Sequence, residues 1–142
     1  QLPSSAQKIV TSWGPYLTMQ STGNYLYPVF FAKACINTWC SYTSTAILDQ
    51  TYVLASSIPP NTNLILYFMA TVYNNGGYVT TISGCFGTIC AAVQTTSTTA
   101  VTLTGTATVS AQNGWLSIQL ASIAGGTAYI SNAEVILIPV AT

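Results

Sequence analysis

Between Val101 and Ser110 the chain alternates without interruption, with Val101, Leu103, Gly105, Ala107 and Val109 on one side and Thr102, Thr104, Thr106 and Thr108 on the other. A period of two is the pattern of a strand with one packed face and one wet face. In a helix the same residues would spread around every side, so no amphipathic helix can use them. The same vocabulary of Val, Ile, Thr, Tyr and Phe recurs in short segments over most of the chain. It predicts strands at 26–36, 51–55, 63–73, 78–83, 88–94, 101–110, 115–122, 127–130 and 134–140. Trp115, Ser117 and Gln119 alternate with Leu116, Ile118 and Leu120, whereas Val135, Ile136, Leu137 and Ile138 read as a strand buried on both faces.

The segments are separated by residues with turn chemistry. Asn74-Asn75-Gly76-Gly77 tolerates positive φ and is expected to close a hairpin between 63–73 and 78–83. Pro59-Pro60-Asn61, Gln112-Asn113-Gly114 and Gly125-Gly126 mark further corners. About eight strands spaced by turns, with no helix-length segment in the body, predict an all-β antiparallel β-sandwich of jelly-roll or Ig-like topology. Residues 21–142 form that domain in this reading, preceded by an N-terminal extension at 1–20.

Charge narrows the function classes. Of 142 residues, only Lys8, Lys33, Asp49 and Glu134 are charged, and there is no Arg or His. Two lysines cannot line a groove for phosphates, which argues against nucleic acid as a partner. Acid–base chemistry and calcium binding both draw on clustered carboxylates or imidazoles, so the composition points to no enzyme, no metal and no cofactor. No apolar run approaches the roughly 20 residues that cross a bilayer as a helix, so no membrane insertion is expected. A surface without like-charge repulsion favours association, and the expected partner is a second copy of the chain.

Gln1 in place of an initiator Met, together with four cysteines, leads us to expect an exported protein whose leader has been removed. Cys35 and Cys40 share one spacing with Cys85 and Cys90. Four cysteines allow three pairings of two disulfides. Local pairing, each bond clipping a span that a hairpin can bridge, is preferred over Cys35–Cys90 with Cys40–Cys85. A four-thiolate zinc site is the competing use, and an oxidising exterior weighs against it.

Lys33, Asn132 and Glu134 are the residue types of an intramolecular isopeptide crosslink, although scattered charges near strand ends more often just face solvent. Trp13, Trp39 and Trp115 with the tyrosines would suit a platform for sugar rings, or equally a subunit interface. No Asn-x-Ser/Thr sequon occurs, and O-linked glycans on Ser and Thr stay open.

Ahead of the sandwich stands Ala6-Gln7-Lys8-Ile9-Val10-Thr11-Ser12-Trp13, followed by Gly14-Pro15. It reads as a short helix capped near Ser4, as an ordinary first strand, or as a strand donated to a neighbouring subunit. Extended, it turns Ile9 and Trp13 to one side and Lys8 and Val10 to the other. Donation accounts for more, because a nearly uncharged sandwich has little else with which to protect its sheet edges. The leading segment and the Thr- and Tyr-rich sandwich resemble the exported β-sandwich subunits of extracellular filaments, namely archaeal bundling pili and threads related to bacterial biofilm matrix fibre proteins. That resemblance implies a secreted homopolymer at the cell surface, assembled head-to-tail by an N-terminal donor strand made of Ala6, Lys8, Ile9, Val10 and Trp13, and serving adhesion or biofilm cohesion. The alternatives are a secreted carbohydrate-binding or adhesin module and a jelly-roll capsid or fibre protein of a virion.

Overall fold

The computed structural model describes residues 30–58 and 62–141. The donor segment Ala6–Trp13 and the boundary at residue 20 therefore lie outside the described residues. Within them the chain forms β1 (Phe30–Ala34), β2 (Cys40–Tyr42), β3 (Ala46–Val53), β4 (Thr62–Asn74), β5 (Thr80–Phe86), β6 (Ile89–Thr95), β7 (Val101–Val109), β8 (Gly114–Ile123) and β9 (Ala128–Ala141). One turn of 3-10 helix at Ala55–Ser57 follows β3.

Two antiparallel sheets face each other. The first, sheet A, runs β1-β9-β4-β7, with β2 also pairing with β9; the second, sheet B, runs β3-β8-β5-β6. β1 and β2 lie on the same side of β9, Phe30–Ala34 against 133–137 and Cys40–Tyr42 against 128–130, so together they make one interrupted strand. Taken that way, the strand order is that of a jelly roll, in which most successive strands change sheets.

The core lies between the sheets. Leu64, Leu66, Phe68, Ala70 and Val72 of β4 meet Ile82 and Phe86 of β5 and Leu116, Ile118 and Leu120 of β8, all almost fully buried. Alternation explains this selection, since every second residue of β4 and β8 faces inward. β9 is buried on both faces from Val135 to Ile138, as its sequence predicts. Gly84 lets the sheets pack tightly: a Cβ there would lie 2.7 Å from both Phe68 Cδ1 and Val135 Cγ2.

Several expectations need correction. The Asn74–Gly77 turn does not close a hairpin, because β4 pairs with β7 and β9 while β5 pairs with β6 and β8 in the other sheet. The turn carries the chain from one sheet to the other, and its chemistry is used to anchor that corner. Asn74 is fully buried; its Nδ2 donates to Thr80 Oγ1 at 3.1 Å and to the Gly125 carbonyl at 2.9 Å, and its Oδ1 accepts from Gly76 N–H at 2.9 Å. Its backbone N–H donates to the Ser97 carbonyl at 2.9 Å, so the β4–β5, β6–β7 and β8–β9 connections meet on one residue. The segments 127–130 and 134–140 are one strand, continuous through a bulge where Asn132 adopts φ 51. Asn is one of the few residues that enter the left-handed region readily. The strand placed at 51–55 begins at Ala46, and 54–57 leave the sheet.

Candidate assembly surfaces

Two flanks, where the edges of sheets A and B come side by side, are built very differently. On the first, β1 of sheet A lies beside β3 of sheet B. Lys33 on β1 stands directly across from Glu134 on β9, and the Lys33 backbone N–H donates to Asp49 Oδ2 on β3 at 3.1 Å. All three charged residues of the described chain thus gather on one flank, although the sequence scatters them over a hundred positions. The Lys33 ammonium also sits 5.3 Å from the centroid of the Phe31 ring, within range of a cation–π contact.

This flank is interrupted in its backbone as well. β1 stops at Ala34, just before Cys35, which has φ 57 and is joined to Cys40 by a disulfide. Asn132 shapes the loop that follows: its Oδ1 accepts from Asn37 N–H at 2.9 Å, and its own N–H donates to the Cys35 carbonyl at 2.8 Å. The Asn132 carboxamide is thereby engaged in the loop and is not offered to Lys33 for an isopeptide bond with Glu134 nearby. β3 carries a bulge at Leu48, between Ile47 paired to Gln119 and Asp49 paired to Ile118. Charges, bulges and short strands are the devices by which sheet edges avoid pairing with other chains.

On the second flank β7 of sheet A lies beside β6 of sheet B. The two meet around Gly105, where an added Cβ would come 3.2 Å from Val93 Cγ1 and 3.6 Å from the Ala91 Cβ. β7 keeps an unbroken register with β4 from Val101 opposite Val72 to Val109 opposite Leu64, and β6 does the same with β5 from Ile89 to Thr95. Neither edge strand contains a charge, a proline or a bulge. The inward row of β7, Val101, Leu103, Gly105 and Ala107, is only half-buried, and the outward threonines are exposed. Among the described residues β7 has a pairing strand on one side only.

The second disulfide joins Cys85 to Cys90, which are direct cross-strand partners at the tip of the β5–β6 hairpin. Both bonds are local, and no free cysteine is present among the described residues.

The tryptophans do not form one platform. Trp39 packs edge-on against Tyr73 at 5.2 Å, and Tyr73 stacks on Tyr129 at 4.8 Å, on the outer face of sheet A. Trp115 instead meets Tyr52 edge-on at 5.0 Å on the outer face of sheet B. Trp13 lies outside the described residues. A shallow depression of about 410 Å³ is lined by Thr45, Ala46, Ile47, Gln119, Leu120 and Ala121, with no charged group at its wall. No cluster of three or more His, Cys, Asp or Glu side chains able to hold a metal ion occurs among the described residues. No described helix is long and apolar enough to cross a membrane.

No protein-family model and no curated protein matches the chain. Among solved structures, the VP2 subviral particle of infectious bursal disease virus is similar over 79% of this chain, at a TM-score of 0.54 and 12% identity. This chain spans only 32% of that VP2 chain. A protein of the Bacillus endospore appendages, described as a novel family of disulfide-linked pili, aligns with 85% of this chain and 95% of its own length, at a TM-score of 0.36 and 13% identity. At 12% identity, the likeness to VP2 is one of fold: the chain shares the sandwich architecture of a β-protein domain found in a virus particle.

Proposed function

We propose that the protein is a structural subunit of an extracellular filament, polymerising when the N-terminal segment of one copy adds a strand to the sandwich of the next. The observation that carries this reading is the long, regular, uncharged flank of β6 and β7 in a chain with almost no charges to keep copies apart. Strand addition uses main-chain hydrogen bonds, so it needs an open edge and a strand-length segment more than particular side chains. The segment with Ala6, Lys8, Ile9, Val10 and Trp13 supplies the strand. The two local disulfides fit an oxidising exterior.

Deleting residues 1–14 from the exported protein is the direct experiment. Electron microscopy of the purified wild type is expected to show regular filaments, and the deletion variant is expected to remain as folded, unassembled subunits. Filaments of normal appearance from the deletion variant would overturn the donor role.

A second reading is favoured by the Trp39–Tyr73–Tyr129 cluster, whose partly exposed rings suit stacking against a sugar. In that case the protein is a carbohydrate-binding or adhesin module. Titration with glycans would then perturb Trp39 fluorescence in the unassembled protein, and no such change is expected of a pure filament subunit.

A further inference from the structure

Strand donation leaves open which edge accepts the strand and in what direction the polymer grows. Among the described residues the sandwich offers four edges, β1 and β7 of sheet A and β3 and β6 of sheet B. β1 carries Lys33 and has that residue's N–H already bonded to Asp49. β3 is bulged at Leu48 and carries Asp49. β6 is regular but shorter, seven residues against the nine of β7, and its hairpin is clipped to β5 by Cys85–Cys90. β7 alone combines length, unbroken register, absence of charge and a half-buried apolar row.

We infer that β7 is the acceptor edge, and that the strand it accepts is the segment around Ile9 and Trp13 of a second copy, extending sheet A to β1-β9-β4-β7-donor. This rests on the donor-strand reading above. A strand of eight residues at about 3.4 Å per residue is roughly 27 Å long, which matches a nine-residue acceptor. Seated beside β7 in an alternating strand, one row of the donor covers Val101, Leu103 and Ala107, whose burial is incomplete. The other row lies with Thr102, Thr104 and Thr106, where Lys8 meets hydroxyls and no like charge.

Position supplies the direction. The first described residue, Phe30, lies opposite Leu137 on β9, so the segment ahead of it is joined to the β1 edge of sheet A. The acceptor is at the opposite edge, three strand spacings or about 14 Å away. When copies stand edge to edge, the β1 root of one faces the β7 edge of the next. Residues 14–29 reach up to about 55 Å when extended, more than enough to bridge that junction. Donor root and acceptor on opposite edges make the contact heterologous, so each addition exposes a fresh β7 edge, and the row extends without closing on itself as a two-fold dimer would.

The test places a photo-crosslinking residue at Ile9 in the full chain and polymerises an equal mixture of isotopically heavy and light subunits. Crosslinked peptides are then mapped by mass spectrometry. The inference expects heavy–light pairs joining position 9 to residues 101–109. Heavy–light pairs to 46–53 or 89–95 would overturn β7 as acceptor while leaving strand donation intact. Pairs within one isotope only would show that the segment folds back on its own sandwich, overturning both. Filaments whose position 9 crosslinks to no sandwich would also overturn both. A complementary pair of full-chain variants reads the same question without crosslinking: Thr104→Lys with Thr106→Lys is expected to raise the concentration needed for assembly at least tenfold, and Ile47→Lys on β3 to leave it unchanged. With both variants folded by circular dichroism, the opposite ranking would overturn the assignment.

Discussion

The two flanks of the sandwich are made from the same strand vocabulary and have opposite surfaces. The β1/β3 flank holds Lys33, Asp49 and Glu134, a bulge and a disulfide-closed loop. The β6/β7 flank holds none of these charges and no bulge, and it ends in a nine-residue strand with a half-buried apolar row. A protein that only needed to stay soluble would protect both edges. Among the described residues, protection confined to one flank leaves a closed side and an open side, the asymmetry that the proposed head-to-tail polymer requires.

Both flanks depend on one packing contact between the sheets, and the largest effect is expected there. Gly84 lets the sheets close against Phe68 and Val135, so Gly84→Val should destabilise the fold by about 3 kcal/mol or more, and both flanks should lose protection together in denaturant titrations. Asn74→Ala comes next. It strands the Gly125 carbonyl and the Gly76 N–H, while the Thr80 hydroxyl keeps its bond to the Tyr78 carbonyl, and a loss of roughly 3 kcal/mol is expected. Because the Asn74 backbone also holds Ser97 just ahead of β7, hydrogen exchange should rise first at the β6/β7 end.

Removing a disulfide separates the flanks. Each bond closes a short loop, so Cys35→Ala with Cys40→Ala, or Cys85→Ala with Cys90→Ala, should cost about 2 kcal/mol by chemical denaturation. Assembly should suffer more from the second pair, since it loosens β6 beside the open edge. The smallest effect on stability is expected from Asp49→Asn, below about 1 kcal/mol, because the bond it weakens is exposed. Its effect on association is the sharper readout: with the closed flank partly discharged, light scattering should report lateral bundling that wild-type filaments do not show.

The strands were legible in the sequence where a local rule sufficed. The alternation at 101–110 and the apolar run at 134–140 mark β7 and the second half of β9 to within a residue or two. β2 was not legible, since three residues carry no period and are held in place by the Cys35–Cys40 clip and by β9. The Asn74–Gly77 motif was legible as a turn and misleading as a hairpin, because turn chemistry sets how a chain reverses and leaves open which sheet the next strand joins. The charged flank was hidden for a similar reason. Residues 33, 49 and 134 become neighbours only through the pairing of β1 with β9 and the approach of β3, which is information held by topology.

Hydrogen–deuterium exchange on the full chain, before and after polymerisation, tests the open-side and closed-side account most directly. The account predicts that new protection concentrates in Val101–Val109, with Ala46–Val53 unchanged. New protection over Ala46–Val53 with none over Val101–Val109 would contradict it.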